Sequence, residues 1–214
     1  MNKDLPWLSS YEANTPTEIN INEFPSIVAV LDQAIKDFAD RPAFSNFGKQ
    51  LSYREIDTLS RQFANYLIHD LKLKKGDRVA IMMPNVLQYP IAIFGVLRAG
   101  LTVVNTNPMY TARELKHQLT DSGATVLLVM ENFAATVQEI IKETKVKQVI
   151  TTSIGEMLGA KGLLINFMLK YVKNAVPSYD LNGSITFKNA LSLGGKHSLP
   201  STDLRHEAIA FLQY

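Results

Sequence analysis

Four histidines could serve acid–base or metal chemistry: His69, His117, His197 and His206. No two stand three or four residues apart, so no helix face offers a local pair of nitrogens to a metal. His69 and His117 lie among charged neighbours and read as surface residues. His206, beside Glu207, reads as polar decoration before a strand. The chain contains no cysteine, which removes disulfides, thiolate-bound zinc and thiol catalysis within it. Neither GxGxxG nor GxxxxGK[ST] occurs, so no glycine loop of known pattern is available to cradle a phosphate. The isolated run Gly194-Gly195-Lys196 reads as a turn.

Two stretches remain as candidates for ligand contact. The loop Asn105–Tyr110 carries Asn107, Pro108 and Tyr110 directly after an apolar, strand-like run. Ligands of open α/β sheets bind at that edge, so the loop could border a ligand path. Turn chemistry is the simpler account: Asn and Pro shape the chain, and Thr111 caps the helix that follows. The second stretch is Leu163–Val176, LLINFMLKYVKNAV. Asn166, Lys170, Lys173 and Asn174 recur at helical spacing as one narrow polar strip, and everything else is apolar, including Leu163, Leu164, Phe167 and Tyr171. From Gly155 to Val176 the lysines Lys161, Lys170 and Lys173 outweigh Glu156, a local charge of +2 (three positive, one negative). Fourteen residues of helix reach about 21 Å, too short to cross a bilayer. Such a helix could lie in a membrane interface with its lysines toward anionic head groups. A core helix, or a contact with a further part of the protein, is the competing reading.

The elements that must position these stretches follow an α/β rhythm. The block Gly76–Leu128 alternates strand, helix, strand, helix, strand through very short loops. Strands are expected at Val79–Met83, Leu101–Val104, Thr125–Val129 and Val146–Ile150. They are short and apolar throughout, the pattern of a parallel sheet covered on both faces. The intervening helix Val86–Ala99 is polar only at Gln88, Tyr89 and Arg98 and should be buried nearly all round. Ser52…Glu55 and Thr111…Glu114 match capping boxes that open helices. Gly100 and Gly123 supply helix stops, and Phe133–Glu143 supplies another helix.

Upstream, residues 1–24 read as an irregular arm interrupted by Pro6 and Pro16, with the lone Trp7 expected to dock on this domain or another. A helix Ser26–Phe38 should turn Ile27, Val30, Leu31, Ala34 and Phe38 inward. A hairpin turning at Gly48-Lys49 precedes the helix that starts after Ser52. Downstream of Val176 the stretch to Thr202 reads as loop, and Ala208–Leu212 as a last strand. The expected fold is a three-layer α/β subdomain, residues 25–214, with a mainly parallel sheet and helices on both faces.

Composition bounds the rest. Of 214 residues, 46% are hydrophobic, enough for a sizeable core. A net charge of +2 gives no case for nucleic acid as a partner. The opening MNKDLPWLSS has no apolar leader region. A cytoplasmic setting fits these features.

The segments GDRVAIMMPNVLQYPIAIFGVLRAG, NTNPMYTARELKHQLTDSGATVLL and AIAFLQY, with RPAF and LSYREID upstream, resemble the adenylate-forming acyl-activating enzymes, and among them the bacterial long-chain fatty acid–CoA ligases. The resemblance implies a parent that joins ATP and a fatty acid carboxylate into an acyl-adenylate and then passes the acyl group to coenzyme A. It implies ATP, Mg²⁺ and CoA as the parent's cofactors and a long-chain fatty acid as substrate. It also places a phosphate loop after a strand equivalent to Ala208–Tyr214, followed by adenine, magnesium and catalytic lysine motifs. None of these has a position in this sequence. The chain is therefore expected to be the first part of the large domain, an inactive scaffold that shapes part of the fatty acid site. No catalytic or cofactor-binding residue is assigned, and the C-terminal remainder becomes its chief partner. Under the resemblance, Asn107, Pro108 and Tyr110 would border the acyl or CoA path. The interfacial reading of Leu163–Val176 gains because the implied substrate arrives dissolved in the inner membrane. Competing expectations are a stand-alone α/β interaction or membrane-binding module, or a parent that stops at the acyl-adenylate.

Overall fold

A computed structural model describes residues 5–214. The first four residues of the arm, which open the segment MNKDLPWLSS, lie outside the described residues.

The centre is a six-stranded sheet in the order β7-β6-β5-β3-β4-β8, parallel at every pairing. Its strands are β3 (Arg78–Met82), β4 (Thr102–Asn105), β5 (Val126–Met130), β6 (Gln148–Thr152), β7 (Ile185–Thr186) and β8 (Phe211–Leu212). Alternate residues of each strand face opposite layers, as a pleat requires. Val79, Ile81, Val126, Leu128 and Ile150 join one apolar core with helices α2 (Tyr53–Asn65), α3 (Gln88–Arg98) and α7 (Phe187–Gly194). Ala80, Met82, Leu127, Val129 and Val149 join the other with α4 (Ala112–Ser122) and α5 (Ala134–Ile140). The three layers match the expected class.

Local signals set the helix ends. Ser52 accepts from Glu55 N–H at 3.2 Å while Glu55 accepts from Ser52 N–H at 2.8 Å, so both orphan donors are satisfied. Thr111 and Glu114 repeat the arrangement at α4. Gly123 ends α4 at φ 62°, a left-handed conformation that costs a side-chain-bearing residue more. The hairpin pairs β1 (Pro42–Asn46) with β2 (Lys49–Ser52). Its turn falls on Phe47 and Gly48, both at positive φ, one residue earlier than expected.

Several expectations are corrected. Helix α1 (Ile27–Phe38) is capped by Ser26, but its inward residues are Leu31, Val28 and Ile35. Ile27, Val30 and Phe38 are exposed; Ile27 and Val30 instead border a cleft of about 410 Å³ beside Leu101 and Ile209. The stripe failed because i, i+3, i+7 positions fit either of two overlapping arcs. Trp7, on a 3₁₀ turn from Pro6 to Ser10, stays 54% exposed on this domain. The stretch read as loop to Thr202 contains β7 and α7, whose Phe187 is fully buried against Phe63, ring centroids 4.9 Å apart. The helix expected at Phe133–Glu143 is α-helical only over Ala134–Ile140, with a 3₁₀ turn at each end.

Candidate functional site at the carboxyl edge of the sheet

Strand β3 runs through α3 to β4 on one side, then the chain returns through α4 to β5 on the other side of β3. With α3 on one face and α4 and α5 on the other, the loops leaving β3 and β5 diverge. The carboxyl ends of these two strands are the position where open α/β sheets take ligands.

The polar exceptions of α3 organise this edge. Gln88 is buried and donates to the Thr152 hydroxyl at 3.0 Å and to Ser153 C=O at 2.7 Å, tying α3 to the end of β6. Tyr89 O–H donates to Asn105 Oδ1 at 3.0 Å, tying α3 to the end of β4. Burial pushes the Tyr89 phenol up. At the far end of α3, buried Arg98 bridges Asp32 and Asp57, each at 2.7 Å, and fixes the helix against α1 and α2.

Around Tyr89 the amides form a chain. Asn105 Nδ2 donates to Gln213 Oε1 at 3.2 Å, and Gln118 Nε2 donates to Asn105 C=O at 2.8 Å. Gln118 Oε1 is buried with no hydrogen-bond partner among the described residues. Around Gln88 the groups include one carboxylate. Glu156 accepts from the Thr152 hydroxyl and from Lys188 N–H. Burial raises its pKa, against the opposing pull of those two donors. Tyr179 O–H donates to Glu131 Oε1 at 3.2 Å; burial, reinforced by the Glu131 charge, pushes this phenol up to about 12.

An apolar cleft of about 350 Å³ lies between the hairpin and the start of α3, lined by Phe44, Val86, Tyr89, Pro90 and Phe94 among others. This edge can orient a polar group by neutral amides and hydroxyls beside a hydrocarbon-lined recess. Among the described residues no three His, Asp or Glu side chains converge as a metal site would need.

The candidate residues follow two strands of this edge. Asn107 is exposed, with Pro108 and Tyr110 half-buried after β4. Asn107 Oδ1 accepts from Met109 N–H at 2.9 Å, an Asx turn. Lys161, Leu163, Leu164, Phe167, Lys170, Tyr171 and Lys173 all lie exposed on the crossover from β6 to β7. They occupy α6 (Ala160–Phe167) and one wide turn, Met168–Val172, closed by Lys173 N–H onto Met168 C=O. The polar strip is not solvent-facing throughout: Asn166 points inward, donating to Ser153 Oγ and accepting from Gly155 N–H, each at 2.8 Å.

Sequence reasoning missed Glu156, which had no signal beyond its charge. It marked Gln88 and Tyr89 as exceptions in an apolar helix without giving them a role. It also missed a histidine pair, since residues far apart in sequence cannot show it: His69 and His197 stack at 4.7 Å, with His197 Nε2 3.6 Å from Asp70. His69 is thus half-buried rather than a free surface residue. Gly194 is a close-packing point as well as part of a turn, because a Cβ there would lie 1.9 Å from Gln62 C=O.

The family model for AMP-binding enzymes matches residues 31–214. The chain belongs to the AMP-binding enzyme family. This AMP-binding enzyme chain is 49% identical over 209 residues to a long-chain-fatty-acid–CoA ligase of Escherichia coli O157:H7, covering 97% of the chain and 37% of that relative. It is 32% identical over 218 residues to the long-chain-fatty-acid–CoA ligase of Bacillus subtilis strain 168, covering 100% of the chain and 38% of the relative. The chain therefore spans little more than a third of the length of the curated relatives it matches. Among solved structures, a long-chain-fatty-acid–CoA ligase from Archaeoglobus fulgidus superposes with TM-score 0.66 at 22% identity, over 92% of this chain and 36% of that one. That likeness shows the shared fold.

Proposed function

We propose that this chain is the N-terminal part of a long-chain fatty acid–CoA ligase. The parent would condense a fatty acid carboxylate with ATP, releasing pyrophosphate and leaving an acyl-adenylate. The CoA thiol would then take the acyl group and AMP would leave. The observation that carries this reading is the 49% identity to the E. coli ligase across 97% of the chain.

Within that reaction the chain acts as scaffold. The apolar cleft beside Tyr89 suits a hydrocarbon tail, and the Asn105 amide network with the Asn107–Tyr110 loop suits the border of the acyl or CoA path. The donor set does not fit Mg²⁺: the groups at the edge are neutral amides and hydroxyls, and the carboxylates Glu156 and Glu131 are spent on Thr152, Lys188 and Tyr179. ATP, Mg²⁺ and CoA would be held by residues outside this chain. Use of ATP and CoA implies work in the cytoplasm, at the inner membrane surface where long-chain acids arrive.

The test compares the protein made from its whole coding sequence with the 214-residue chain, each given a long-chain fatty acid, ATP, Mg²⁺ and CoA. Fatty acid-dependent AMP release is expected from the former alone. Its absence from the whole protein would refute the ligase reading; its presence in the isolated chain would refute the scaffold role.

A further inference from the structure

Helix α6 is built inside out. Leu163, Leu164, Phe167, Met168, Tyr171 and Val172 are between 43% and 75% exposed, forming one apolar surface along α6 and the wide turn after it. The opposite side carries the attachments. Gly162 meets Gly155 backbone to backbone, where a Cβ on Gly162 would lie 1.8 Å from Gly155 C=O. Asn166 adds its two hydrogen bonds to Ser153 and Gly155. The anchoring holds the apolar side outward.

Charge decides what that side suits. Lys161, Lys170 and Lys173 are exposed, and no acidic residue occurs between Glu156 and Asp180. Glu156 itself is turned onto Thr152 and Lys188 N–H. Lys170 Nζ sits 5.8 Å from the centroid of the Tyr171 ring, which keeps a cation beside the apolar surface. Lys161 lies at the start of the exposed apolar stretch and Lys170 and Lys173 toward its end, so the charges flank it along the chain. A lipid surface accepts this pattern, with apolar side chains entering the acyl boundary and lysine stems reaching back to anionic phosphates.

We propose that α6 and its terminal turn are an interfacial anchor that docks this protein on an anionic lipid surface. The anchor is fixed to the end of β6 through Ser153, so docking presents the carboxyl edge of the sheet toward the lipid. The inference rests on the surface of α6 and not on the ligase reading, and its assay measures no turnover, so the two fail separately.

The test is co-sedimentation of the protein made from its whole coding sequence with vesicles of phosphatidylcholine, alone or mixed with phosphatidylglycerol. Binding is expected on the mixed vesicles and should fall with added salt. Lys170→Gln with Lys173→Gln should lower partitioning ~30-fold, from about fivefold per lysine near an anionic surface. Phe167→Ser should also lower it while leaving the melting temperature unchanged, which shows that the variant folds. Equal binding of wild type and the double variant would overturn the proposal. So would a Phe167→Ser variant that melts lower or changes oligomeric state without losing vesicle binding, the sign that protein covers this face.

Discussion

Helices α3 and α6 have similar compositions and opposite orientations. Each is mostly apolar with a few polar residues, and each contains a glycine at a tight contact: Gly95 against Phe63, Gly162 against Gly155. In α3 the apolar residues are buried and the polar ones reach across to other elements. In α6 most apolar residues face out, Ile165 excepted, and the polar Asn166 faces in. Apolar content alone therefore does not say which face is buried. What decides is where the backbone can approach closely and where buried polar groups find partners. Between sheet and α2, α3 has apolar surface on several sides. The β6–β7 crossover offers α6 a narrow seat of glycine and polar groups, with Ile165 alone reaching the apolar core from the helix.

The contrast can be broken most forcefully on the α3 side. Phe63→Ala removes a fully buried ring that packs on Gly95 and Phe187. It should lower unfolding free energy by ~3–5 kcal/mol in urea denaturation. A loss below ~1 kcal/mol would mean that the α2–α3–α7 layer is not the main core. On the α6 side, Asn166→Leu should cost ~1–2 kcal/mol, because Ser153 and the Gly155 N–H lose their partner. The loss should be local, read as faster hydrogen exchange across α6 with the global midpoint little moved. The smallest effect concerns Glu156, which lies between the two regions. Burial raises its folded pKa above the ordinary 4.5. The native state then holds a proton that the unfolded chain has released, so stability is fullest below 4.5 and declines as pH rises through the raised value. Glu156→Gln removes that charge cost. Its stability relative to wild type should grow with pH through this window and level off above it. A constant difference across the pH series would show that the carboxyl titrates alike in both states.

Most of the fold was legible because its signals are local. Ser52 with Glu55 and Thr111 with Glu114 bond within four residues, and Gly100 and Gly123 stop helices by their own conformation. The apolar strands announce a sheet covered on both faces. What was hidden depends on distant partners. Phe187 looked like a loop residue because its ring is buried by Phe63 on another helix. The inward face of α1 could not be chosen without knowing where α2 and α3 lie. At the site, Gln88 and Tyr89 stood out as polar residues in an apolar helix, but their acceptors are Thr152 and Asn105 on two different strands. Glu156 carries no mark in sequence that separates it from a surface glutamate.

Strand β8 closes the outer edge of β4 through two residue pairs, Val103 with Phe211 and Val104 with Leu212. Its approach is fixed by Thr102 Oγ1 donating to Ile209 C=O, 107 residues away in sequence. Ribosomes add roughly 5–20 residues per second, so the nascent β4 waits about 5–20 s for its neighbour to emerge. Through that interval its unpaired edge is open to other nascent chains, and a chaperone that shields it would raise the yield of folded protein without touching the finished molecule.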